Sequence, residues 1–69
     1  MAYDTLTLQL LAALERHAGE RRTVAEWAGA MPPLTPTGHV RDRLTRLMRD
    51  GKVRSAASGK KIVYFVENE

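Results

Sequence analysis

Apolar side chains in this chain recur at helical spacing as far as Gly51 and at every second position beyond it. Helices and strands present different residues to a core, so a segment patterned for one does not settle into the other. The switch therefore confines the chain to helices followed by a short β unit, an α+β arrangement. Asp4 to Ala18 reads as the first helix, with Leu6, Leu10, Leu11, Leu14 and Ala18 inward, Asp4 or Thr5 as cap and Gly19 as stop. Glu20-Arg21-Arg22 is too short for a helix and suits a brief edge strand. Thr23-Val24-Ala25-Glu26 has capping-box spacing, which opens a second helix from about Val24 to Ala30. Val24, Trp27, Ala28 and Met31 form its buried side, and Trp27 is read as core rather than as a stacking platform.

Pro32 and Pro33 forbid further helix and make a rigid corner, with Leu34 expected to tuck inward. The third helix spans 35–50. Thr35 is expected to cap it, Pro36 sits where a missing N–H costs nothing, and Gly51 closes it in the left-handed conformation. At about 100° per residue, Val40, Leu44, Leu47 and Met48 fall on one side. Gly38, Arg41, Asp42, Thr45, Arg46 and Arg49 fall on the other. Asp42 and Arg46 are spaced for a surface ion pair, although an aspartate there can also accept from an amino group outside the chain.

Residues 52–66 read as a β-hairpin. A Ser58-Gly59 turn would set Val53 against Tyr64 and Ser55 against Ile62. Val53, Ile62, Tyr64 and Val66 would then cover the helices, leaving Arg54, Lys61, Val63 and Phe65 on the outer face. Glu67-Asn68-Glu69 is a polar tail.

Sixty-nine residues suffice for a single domain, 1–69, near the size at which one core can hold itself together. Without cysteine there is no disulfide and no thiolate metal site, and a reducing, cytoplasmic setting is expected. His17 suits the carbonyl end of the first helix, and with His39 the only other histidine no metal set is completed. No cofactor is expected. The early residues lack the basic start of a secretory signal, and no run is long enough to span a bilayer, so no membrane contact is expected. The absence of a Gly-rich phosphate loop, a nucleophile triad or paired acids argues against an enzyme.

Charge is segregated. From Thr35 to Lys61, Arg41, Arg43, Arg46, Arg49, Lys52, Arg54, Lys60 and Lys61 face only Asp42 and Asp50, a balance of +6, while the remainder carries −3. Such an excess on one part of a small domain is the electrostatic footprint of a nucleic-acid binder.

The order helix, short strand, helix, turn, basic helix and hairpin resembles the winged helix-turn-helix DNA-binding domain over about Asp4 to Val66. Thr23-Val24-Ala25-Glu26-Trp27-Ala28 is similar to the second helix of many bacterial regulators, with Trp27 in place of the usual leucine. Val40-x3-Leu44-x2-Leu47-x3-Gly51-x-Val53 is similar to the recognition helix and first wing strand. The size suggests the very small single-domain regulators, such as pilus-operon regulators or phage-borne repressors and excisionases. The Met31–Leu34 connection is longer and richer in proline than the tight turn of a minimal helix-turn-helix.

The resemblance implies a partner, double-stranded DNA, and a transcription-regulating role. It places Thr35, Thr37, Gly38, Arg41, Asp42 and Thr45 at the leading end of a helix that enters the major groove, with Arg41 as the fork for guanine. Arg46 and Arg49 would hold phosphates, and Arg54, Ser58, Lys60 and Lys61 would reach an adjacent backbone or minor groove. The alternative is a winged-helix module that docks on a protein through Val63 and Phe65, residues that could also make a weak homodimer contact. An RNA reading is disfavoured, because the basic region holds no aromatic except Tyr64 and Phe65.

Overall fold

Residues 3–67 are described by the structure, a computed structural model; Asn68 and Glu69 of the expected tail lie outside the described residues. Three helices, α1 (Thr5–Arg16), α2 (Val24–Ala28) and α3 (Thr37–Arg49), precede an antiparallel hairpin of β1 (Arg54–Ser58) and β2 (Lys61–Phe65). This is the α+β layout of a winged helix, three helices with a C-terminal hairpin as wing.

The local signals explain most of the boundaries. Asp4 caps α1 by accepting the Thr7 amide at 2.8 Å, and the buried Thr7 hydroxyl donates to the same carboxylate. The capping box at α2 is complete: Thr23 accepts from the Glu26 amide and Glu26 accepts from the Thr23 amide at 3.0 Å. α2 ends at Ala28, short of the expected Ala30, because the chain tightens there into turns closed by Ala30 N–H to Trp27 C=O and Met31 N–H to Ala28 C=O. At the other end of α3, Gly51 adopts φ +77°. Its amide bonds the Met48 carbonyl while Lys52 N–H reaches the Leu47 carbonyl, a Schellman closure.

The connection between α2 and α3 differs from expectation in two ways. Thr35 does not cap α3. Its hydroxyl donates to the Pro32 carbonyl at 2.7 Å and its amide to the same oxygen, so it closes a turn over Pro33 and Leu34, and Pro36 takes the cap position without a side-chain bond. Leu34 does not tuck in. It stands at the corner of that turn with φ +70° and is 99% exposed.

Trp27 lies at the centre of the core, fully buried among Leu10, Leu14, Val40, Leu44, Leu47 and Val53, with Tyr64 and Val66 packed against the cluster. Its indole N–H donates to the Tyr64 carbonyl at 2.8 Å. Arg22 and Tyr64 form a one-residue antiparallel bridge, which is the brief strand expected at 20–22, and Gly19 N–H bonds the Val66 carbonyl. These bonds fix the base of the hairpin to the helices.

The hairpin register corrects the expected one. Ser58 pairs with Lys61, Ala57 with Ile62, Ser55 with Tyr64 and Arg54 with Phe65, so Gly59 and Lys60 form the turn, with Gly59 at φ +62°. The displacement is two residues, which conserves the facing of every side chain. Tyr64 therefore still faces the helices. Ile62, nearer the tip, lies beyond the core and is 57% exposed.

Candidate nucleic-acid interface

α3 buries Val40, Leu44 and Leu47 and turns its polar side outward; Met48, at the margin of the stripe, is partly exposed. Gly38, Arg41, Asp42, Thr45, Arg46 and Arg49 are all exposed. They divide between two flanks. Thr37 and Arg41 line an open groove of about 650 Å³, whose opposite wall is Lys60, Lys61, Ile62 and Tyr64 of the hairpin. Thr23, Val24 and Ala25 at the start of α2 close its end. Asp42, Thr45, Arg46 and Arg49 border a second concavity of about 610 Å³, shared with Tyr3 and Asp50.

The start of α3 has no side-chain cap, so the Thr37 and Gly38 amides keep their hydrogen-bonding capacity and the positive end of the helix dipole beside Arg41. Thr45 spends its hydroxyl proton on the Arg41 carbonyl at 3.0 Å, leaving oxygen lone pairs outward.

Three acids of the chain are paired with cations that do not line this groove. Asp4 pairs with Arg43 at 2.7 Å, Glu20 with Arg22 at 2.8 Å and with His17 at 2.7 Å, and Glu67 with Arg54 at 3.0 Å. Hydrogen bonds from Thr7, then Arg43, hold the Asp4 carboxyl well below the usual carboxylate range. Arg22 and then His17 lower Glu20, and the Thr23 amide and hydroxyl lower Glu26, with a smaller contribution from the Lys61 charge. Among the described residues, no carboxylate lies within 4 Å of a nitrogen of Arg41, Arg46, Arg49, Lys52, Lys60 or Lys61.

Several expected site residues stand elsewhere. Thr35 is tied into the interhelical turn. Arg54, at the base of the hairpin, faces Glu67 rather than the groove. Ser58 closes β1 beside the tip. Asp42 and Arg46 do not form the expected ion pair; the Arg46 guanidinium instead stands 5.7 Å from the Tyr3 ring centroid.

The outer hairpin face also departs from expectation. Val63 is only 8% exposed and Phe65 is half-buried, its ring covered by the Arg21 guanidinium at 4.5 Å. Those two residues offer little apolar surface for a protein partner or a second copy.

Thr23, Val24 and Ala25 are groove residues that sequence reasoning assigned to the core or left aside. The capping box carried the signal, since it fixes the first turn of α2 at the surface. No helix among the described residues is long and apolar enough to cross a membrane, and no group of three or more His, Cys, Asp or Glu is placed to hold a metal ion. Comparison with protein-family models, curated proteins and solved structures finds no match to this chain.

Proposed function

We propose that this chain is a sequence-specific, double-stranded-DNA-binding regulator of transcription, with the first half of α3 in the major groove and the hairpin as wing. One observation carries the reading. Arg41 from α3 and Lys60 and Lys61 from the hairpin, distant in sequence, border the same groove, while Asp4, Glu20 and Glu67 are paired outside it. A phosphodiester strand is a polyanion that a groove bordered by one guanidinium and two ammonium groups can hold.

Within that reading, Arg41 presents the planar fork that matches guanine O6 and N7, and Thr37 and Gly38 bring backbone amides to the DNA. Arg49, Lys60 and Lys61 neutralise phosphates and set register rather than sequence. Arg54 and Thr35 drop out of the contact set.

A gel-shift titration with random duplex at two salt concentrations tests the reading. Four or five phosphate contacts give a slope of log K against log salt of about −4. Binding that ignores salt, or no binding to any duplex, overturns the proposal. Competition between a selected site and random duplex then measures the sequence-specific part.

A further inference from the structure

Arg46 sits one helical turn from two carboxylates, Asp42 before it and Asp50 after it, and yet it pairs with neither. An i,i+4 ion pair on an exposed helix face is only weakly stabilising, so a competing contact of similar size is enough to redirect the arginine. Here a residue remote in sequence intervenes. The Tyr3 hydroxyl donates to Asp50 Oδ2 at 2.7 Å, across a separation of 47 residues. Its ring packs against the core cluster and faces the Arg46 guanidinium at 5.7 Å. One side chain thus engages the Asp50 carboxylate and offers the cation an aromatic face in its place, while Asp42 takes no part.

We propose that Tyr3 is a positioning residue: by engaging Asp50 and seating Arg46 on its ring, it keeps that guanidinium out of ion pairing and available to a phosphate of the duplex. The proposal rests on the DNA-binding reading and extends it to the flank of α3 opposite the wing. The concavity bordered by Tyr3, Asp42, Thr45, Arg46, Arg49 and Asp50 is where that phosphate would lie, on the side held by the two arginines. With the hydroxyl gone, Asp50 is released one turn from Arg46, at i,i+4 spacing, and the cation is neutralised from within.

The test is a cycle of Tyr3→Phe, Asp50→Asn and the double variant, each checked by circular dichroism for an intact fold. Tyr3→Phe keeps the ring and removes only the hydroxyl. On random duplex it is expected to lose about one phosphate contact: the salt slope becomes shallower by about 0.9 and affinity falls roughly five- to tenfold at ~0.1 M salt. Asp50→Asn in the Tyr3→Phe background restores the slope, because residue 50 then carries no charge with which to capture Arg46 and Asp42 is unchanged throughout the cycle. A general structural defect would not be rescued in this way.

A second measurement is independent of DNA. The Arg46 side-chain Nε–H resonance in 15N-labelled protein should shift in Tyr3→Phe and return in the double variant. An unchanged resonance overturns the positioning role. If wild type binds duplex and Tyr3→Phe shows the same slope, the proposal fails while the DNA reading stands. If wild type binds no duplex, the DNA reading fails and the phosphate role fails with it.

Discussion

Replacing Trp27 with phenylalanine removes both the largest buried side chain and the N–H that holds the hairpin base. The indole is fully buried, and its Nε1 donates to the Tyr64 carbonyl at 2.8 Å. Phenylalanine lacks about three of its heavy atoms, worth about 2 kcal/mol at ~0.8 kcal/mol per buried carbon. The lost hydrogen bond adds about 1 kcal/mol and no more, because the Tyr64 oxygen keeps the Arg22 amide at 3.3 Å. The expected cost is therefore about 3 kcal/mol, against a total stability on the order of 3–10 kcal/mol for a chain of this length. In a domain this small that lowers the midpoint of thermal unfolding by roughly 10–20 °C. Circular dichroism is the assay, since the substitution removes the only tryptophan and with it the fluorescence probe. Amide exchange supplies the spatial readout: the Tyr64 and Gly19 amides, which bond across the junction, should exchange faster than amides inside α3. A loss below about 1 kcal/mol, or uniform acceleration everywhere, would refute the idea that Trp27 joins the wing to the helices.

Leu34→Gly should stabilise by about 0.5–1 kcal/mol, because it relieves a left-handed backbone at a side chain that packs against nothing; a lower melting temperature would contradict that. Asp4 has a lower pKa folded than unfolded, so its contribution is complete above pH ~5 and is lost as pH falls below the unfolded value of ~3.9. Asp4→Asn retains a capping oxygen but does not titrate, and its melting temperature should fall less than that of wild type between pH 5 and pH 3. Arg41→Ala should relax sequence preference and cost about 1–3 kcal/mol on a cognate site, whereas equal weakening on every duplex would reduce Arg41 to a phosphate clamp. Changing Lys60 and Lys61 together to alanine should weaken binding to all sequences and make the salt slope shallower by up to about 2; an unchanged slope would remove the hairpin tip from the interface.

The features legible in the sequence are those decided within one or two turns of chain. The Thr23–Glu26 capping box, the Gly51 closure and the inward stripe of α3 each depend on neighbours three or four residues away. The brief strand at Arg22 was visible for the same reason, as a gap too short for helix. The hairpin turn was misplaced because Ser58-Gly59 and Gly59-Lys60 both supply the glycine that tight turns require. The choice between them falls to the anchoring of Tyr64 by Arg22 and Trp27, contacts that span some forty residues. Thr35 and Leu34 were misread because Pro33 drives a turn that claims the threonine hydroxyl before α3 begins. The division of the α3 surface into two flanks, and the hold of Tyr3 on Asp50, depend on which elements pack beside the helix. Periodicity within one helix carries no information about that.

Among the described residues, the hydrogen bonds that join β2 and the residue after it to the helical part fall at Tyr64 and Val66, at the end of the hairpin away from Gly59 and Lys60. The hairpin is thus built like a cantilever, clamped at its root and loaded at its free end. A small rocking at the clamp translates into a larger displacement of the two lysines, while the ladder between the strands stays closed. A change in the width of the cleft they border would thus fall on the clamp at Tyr64 and Val66 and leave the buried side chains of the helices in place.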